Sequence, residues 1–142
     1  MLRGIPRAIS PELMHVLLSM GHGDEIVLAD GNFPAATHAK RLVRADGHGV
    51  PDILAAIAPF FPLDAYVDDR AVVMATVEDI AEPPIWQSFR DVLADAEGEA
   101  VALTPIERYA FYSRSRDAFA VVATGESAVY ANLILKKGVV VE

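Results

Sequence analysis

Leu13, Val16, Leu17 and Met20 recur at three- and four-residue spacing, the mark of one buried helix face. Ser10-Pro11-Glu12 opens that helix. Ser10 can cap its free amide groups, Pro11 suits the first helical position, and Glu12 complements the positive end. Gly21 is a natural stop. The period then changes. Glu25-Ile26-Val27-Leu28-Ala29 is a short apolar run of buried-strand type, closed by Asp30 and turned by Gly31-Asn32-Phe33-Pro34. Residues 35–41 fit neither period, while Arg41-Leu42-Val43-Arg44-Ala45 suits a short strand.

Pro51-Asp52 starts a second helix with a stripe of Ile53, Leu54, Ile57 and Phe60. Ala71-Val72-Val73-Met74-Ala75 is strand-like. Pro83-Pro84 precedes a third helix carrying Ile85, Phe89, Val92 and Leu93. A short strand is expected at Ala100-Val101-Ala102-Leu103 and a fourth helix from Glu107 to Arg116. Residues 118–123 and 132–135 read as buried strands. Strands and helices thus alternate throughout, which predicts α/β layers around a largely parallel sheet. No linker, repeat or low-complexity tract interrupts residues 1–142, so a single domain is expected. Sites in such sheets gather at strand ends, where Asp30 and the Thr124-Gly125-Glu126 turn both lie.

Charge narrows the partners. Twelve basic against twenty acidic residues give a formal charge of -8, which argues against a nucleic-acid surface. There are no cysteines, so disulfides and thiolate metal sites are excluded. No run has the length of a signal-peptide core or a membrane span, and a soluble cytoplasmic protein is expected.

His22 is the first candidate for chemistry. It stands in Gly21-His22-Gly23-Asp24, on a glycine-flanked loop, and imidazole is the side chain that titrates near neutrality. With Asp30 it suits proton transfer. Equally, His22 can cap a helix end and Asp30 order the next turn. Asp24 reads as a turn residue and Glu25 as a strand-edge charge. His15, His38 and His48 have no metal-ligand spacing, and no phosphate-binding or dinucleotide-binding glycine motif is present, so neither metal nor cofactor is expected. Arg108 and Tyr112, four apart, share a helical face and can line a polar pocket, while Tyr109 and Phe111 suit a core. Tyr130-Ala131-Asn132 brings a hydroxyl and an amide to the start of the last strand, or simply orders a loop.

Together these segments resemble the L-fucose mutarotase / D-ribose pyranase family over nearly the whole chain. The resemblance is carried by Ile9-Ser10-Pro11-Glu12-Leu13, by Met20 through Asp30, by Asn32-Phe33-Pro34 and by Val43-Arg44-Ala45-Asp46-Gly47. It continues through Phe111-Tyr112, residues 118–122, Thr124-Gly125-Glu126 and Tyr130-Ala131-Asn132 to Lys137-Gly138-Val139. The resemblance implies a three-layer α/β/α fold with a mixed six-stranded sheet. It implies cofactor-free interconversion of sugar ring forms by ring-shaped homo-oligomers, commonly decamers. By the same resemblance His22 is the proton donor, and Asp30, Arg108, Tyr130 and Asn132 bind a monosaccharide. Arg108 and Phe111-Tyr112 look like the fucose-type branch. Tyr130-Ala131-Asn132 departs from its frequent Tyr-Gly-Asn and matches ribose-type members, which leaves the sugar open.

The residue inventory suits that chemistry. Exchange of anomers needs a proton on the ring oxygen and removal of one from the anomeric hydroxyl, and no metal or redox group. His22 is the acid; Asp30, Tyr130 or a water is the base. The five residues are expected to converge on one pocket, completed where necessary across a subunit contact. A ribose-directed enzyme and a non-catalytic sugar-binding accessory protein of uptake are the alternatives.

Overall fold

The computed structural model describes residues 1–142. Helix α1 (Pro11–Ser19) starts where its capping chemistry puts it, with Ser10 Oγ accepting the Leu13 N–H at 3.1 Å. Strand β1 (Glu25–Ala29) follows, then a single helical turn, α2 (Ala35–His38), in the segment whose period was ambiguous. Next come β2 (Leu42–Ala45), α3 (Val50–Ile57) with a 3₁₀ turn at Ala58–Phe60, and β3 (Ala71–Met74). The chain ends with α4 (Ile85–Glu97), β4 (Thr104–Ile106), α5 (Arg108–Asp117), β5 (Ala120–Thr124) and β6 (Leu133–Lys136).

The six strands form one sheet in the order β2-β5-β1-β6-β3-β4. β1, β2 and β5 pair in parallel, as do β3 and β4. β6 runs antiparallel to both of its neighbours, β1 and β3. Five strands therefore point one way and one points back, which makes the sheet mixed and largely parallel. Side chains alternate between its faces. Ile26 and Leu28 meet α1, α3 and α4 through Leu13, Ile53, Ile57 and Phe89, in the larger core. Val27 and Ala29 meet Phe33, Ala35 and Phe111 of the α2–α5 side in a smaller one. Helices on both faces complete an α/β/α sandwich. No helix is long and apolar enough to cross a membrane.

Two expectations are corrected. Residues 100–103 do not pair; the strand is Thr104–Ile106, although Val101 is buried. β4 is an edge strand, so Pro105 can sit in it with its donor-less nitrogen costing no sheet bond. Phe60 is half-exposed rather than part of the α3 stripe, because the helix tightens into a 3₁₀ turn at Ala58-Pro59 before reaching it.

The reversed strand decides where function can gather. The carboxyl ends of β1, β3 and β4 share one sheet edge with the amino end of β6. Asp30, Asn132, Met74-Ala75 and Arg108 are brought there from four chain segments.

Candidate functional site

Asp30 and Asn132, 102 residues apart, form a buried reciprocal pair. Asn132 Oδ1 accepts the Asp30 N–H at 2.8 Å, and Asn132 Nδ2 donates to Asp30 Oδ2 at 3.0 Å. Asp30 Oδ1 accepts the Asn32 N–H at 3.0 Å. Each carboxylate oxygen keeps an unused lone pair for a further donor.

Tyr130 precedes this pair in a left-handed conformation with φ 56°. Such a backbone is strained for a side-chain-bearing residue and persists only when its surroundings hold it. Trp86 does so, its indole N–H donating to the Tyr130 carbonyl at 2.9 Å. Arg108 opens α5 directly after the Glu107 N-cap, whose carboxylate accepts the Tyr109 and Ala110 N–H groups. Tyr112, one turn on, accepts the Arg108 Nε–H at 3.1 Å, and the rest of the guanidinium fork remains for a ligand. Tyr112 is itself wedged between Phe33 and the ring of His38.

Asp30, Arg108, Tyr130 and Asn132 line one cavity of about 350 Å³, with Tyr112 and an apolar side that includes Met74, Val77 and Val129. Polar groups that fix orientation against an apolar wall are the make-up of a small-molecule site. Burial pushes the Asp30 carboxyl above its ordinary range, against the hydrogen bonds from Asn32, Ala131, Phe33 and Asn132 that favour the anion. The folded state thus holds the Asp30 proton more tightly than the unfolded chain. Ionisation costs stability as pH rises from the unfolded value to the raised one. Ligand binding that uses the carboxylate should lose strength as pH falls through that raised value. Affinity measured against pH is expected to show an acid limb above the ordinary aspartate range, absent in Asp30→Asn. A limb unchanged in the variant assigns the titration to another group.

The structure does not bring His22 to this cavity within one chain. His22 lies before β1 and Asp30 after it, and five residues of strand separate them by about 16 Å or more. The pairing of His22 with Asp30 inside one subunit is therefore corrected. Gly23, at φ 85°, lets the loop turn and leaves His22 exposed beside the opposite sheet edge. There His22 Nε2 is 3.3 Å from Oδ1 of Asp64, with side chains 47% and 6% accessible. The Tyr66 N–H bonded to Asp64 and the adjacent His22 hold the Asp64 carboxyl below the usual range, despite burial. Asp64 is thus an anion wherever an imidazole titrates. It is placed to orient the ring, and Tyr66 packs with its ring centroid 5.9 Å from that of the imidazole.

Sequence reasoning passed over Asp64 and Tyr66, since Leu63-Asp64-Ala65-Tyr66 has no chemical motif; only their folding back beside His22 marks them. His15 is an exposed α1 residue, and no group of three or more His, Asp or Glu is arranged for a metal ion. His38 Nδ1 lies 3.2 Å from Arg116, and burial together with that cation lowers its pKa.

The fold and the site define a class: small α/β/α proteins whose strand-end pocket is dressed for a compact ligand rich in hydroxyls. The chain belongs to the RbsD / FucU transport protein family, whose model matches residues 3–140. It is 50% identical to a human protein named fucose mutarotase, over 97% of this chain and 94% of that one. It is 46% identical to an L-fucose mutarotase of Histophilus somni, over 98% of this chain and 97% of that one. A fucose mutarotase of Streptococcus pneumoniae, solved in complex with L-fucose, superposes with a TM-score of 0.94 at 47% identity, covering 99% of this chain and 100% of that one. Bacillus subtilis RbsD, complexed with D-ribose, shares the fold at a TM-score of 0.75 and 22% identity, covering 94% and 95% of the two chains.

Proposed function

We propose that this chain is an isomerase that interconverts the α and β anomers of L-fucose without a cofactor. The observation that carries the reading is the cavity in which Asp30, Asn132, Arg108 and Tyr130 meet, in a chain about half identical to proteins named fucose mutarotase. The carboxylate and amide accept and donate to vicinal hydroxyls, and the guanidinium fork binds hydroxyl or ring oxygens.

The chemistry follows from the proton inventory. An acid delivers a proton to the ring oxygen as a base takes one from the anomeric hydroxyl. The bond between the anomeric carbon and the ring oxygen breaks, giving an open aldehyde. The aldehyde rotates, and the reverse proton transfers close the ring on its other face. His22 is the acid, and Asp30, Tyr130 or a water is the base. His22 reaches the sugar from a neighbouring subunit, which puts its exposed loop and Asp64 over the open pocket of the next copy. The assembly is a ring-shaped homo-oligomer, a decamer, in the cytoplasm.

The test is anomer-exchange NMR with L-fucose and D-ribose. Catalysed exchange of L-fucose, unchanged after EDTA treatment, is the expected result. Faster exchange of D-ribose would move the chain to the ribose-directed reading that Ala131 motivates. Sugar held without accelerated exchange would make it a binding accessory of uptake, the role left to a subunit whose cavity lacks its imidazole. Activity lost to chelator and restored by metal would overturn the cofactor-free mechanism.

A further inference from the structure

We propose that the β3 side of the cavity is a subsite for the C5 methyl group of a 6-deoxysugar, and that it selects such sugars over their 6-hydroxyl counterparts. The inference rests on the mutarotase reading above and adds the substrate feature that the pocket measures.

The sheet order divides the pocket laterally. Asp30 and Asn132 end β1 and begin β6, while Met74 and Ala75 lie one strand further on, at the end of β3. Val77 continues that side, and Val129, beside Tyr130, faces the same cavity. Both valines are 62% exposed, an unusual place for two large apolar side chains to share one concave mouth. The hydroxyl side chain of this stretch is turned away: Thr76 Oγ1 donates to the Ile80 carbonyl at 3.1 Å and does not line the cavity. The one hydroxyl that reaches this side, Tyr130 Oη, already accepts the Val77 N–H at 3.5 Å. Met74, Ala75, Val77 and Val129 therefore offer no side-chain partner to a hydroxyl.

The chemistry of the occupant follows. A methyl group set there covers apolar surface and leaves no polar group unpaired. A hydroxymethyl group sets its hydroxyl against a wall whose own side chains cannot receive it. A hydrogen alone leaves the wall uncovered. Asp30 and Asn132, on the β1–β6 side, read ring hydroxyls and are indifferent to this substituent.

Three sugars isolate the effect. L-Fucose, L-galactose and D-arabinose share one arrangement of ring hydroxyls in their pyranose forms and differ at C5, which carries methyl, hydroxymethyl or hydrogen. The readout is kcat/KM for exchange, corrected for the spontaneous rate of each sugar. L-Fucose is expected to exceed D-arabinose by about tenfold or more and L-galactose by roughly up to 10²-fold, the range an apolar pocket supplies. Val77→Asn gives a 6-hydroxyl a partner at an exposed position and is expected to narrow the fucose-to-galactose ratio by about tenfold. Val129→Asn carries the same expectation, so one poorly folding variant does not decide the matter. Equal values for the three sugars overturn the subsite while leaving the mutarotase intact. So does a wild-type preference that neither asparagine variant alters. Acceleration of none of them overturns the mutarotase reading itself, and the subsite with it.

Discussion

His22→Ala lowers catalysed anomer exchange by about 10²-fold or more, the contribution a positioned acid makes to proton transfer. It does so without unfolding the protein or emptying the cavity. The imidazole is half-exposed, packs beside Tyr66 and Asp64, and belongs to neither core. Sugar affinity, which depends on the opposite edge of the sheet, should change little. The same geometry makes a stronger demand. If His22 serves the pocket of the next copy, His22→Ala and Asp30→Ala subunits are each defective in a different half of one site. Co-expression of the two should restore activity, with about one site in four intact under random assembly around a closed ring. A folded His22→Ala protein that exchanges at the wild-type rate removes His22 as the donor. Mixed assemblies without recovery, or a monomer by light scattering that retains full activity, remove the shared site.

Arg114→Ala is expected to lose stability and keep the sugar site. Arg114 Nε and Nη2 contact Glu25 at 2.6–3.1 Å, and Nη1 and Nη2 reach Oδ2 and the carbonyl of Asp69 at 2.9 and 3.2 Å. These bonds tie α5 to the start of β1 and to the approach to β3. The Arg114 and Glu25 side chains are only 20% and 15% accessible. Burial alone would lower the guanidinium pKa, but its two carboxylate partners raise it instead. Deleting the cation leaves the Glu25 carboxylate largely shielded from water and without its partner, while Asp69 keeps its solvent. Breaking a fully buried pair costs about 3–5 kcal/mol and a surface pair about 0–1, so this half-buried one should cost about 2 kcal/mol. For a chain of this length that is a fall in Tm of roughly 6–10 °C. Calorimetry should show it while affinity in the folded protein is kept. Arg108→Ala should do the reverse, since Arg108 is exposed and its guanidinium faces the cavity. An unchanged Tm in Arg114→Ala would mean that solvent screens the network.

Much of the architecture was legible because local chemistry and tertiary packing agree. Ser10-Pro11 starts α1, and the apolar run 26–29 is buried on both faces, as a central strand of a sheet covered on both sides should be. Where they disagree, the reading drifted. Val101 is apolar and buried yet unpaired, whereas Pro105, a poor strand former, sits in β4 because an edge tolerates it. That Asp30, Arg108, Tyr130 and Asn132 belong together was legible only through family resemblance. Their meeting depends on β6 inserting between β1 and β3, and no local period records which strand neighbours which. His22 was legible as reactive but not as remote, because sequence proximity to Asp30 conceals the strand between them. Asp64 and Tyr66 had no signal of their own.

The position of β6 also sets a timetable for folding. The strand that joins β2-β5-β1 to β3-β4 follows the other five in chain order. Without residues 133–136 the two sheet fragments have open edges and share no strand pairing. The contacts of β6 with β1 span more than a hundred residues, as the Asp30–Asn132 pair does, and those with β3 sixty or more. Such long-range closure is slow, and open edges attract other chains while they wait. A chain cut before Leu133 therefore leaves two half-sheets with no strand to join them, and the pocket does not form until β6 is in place.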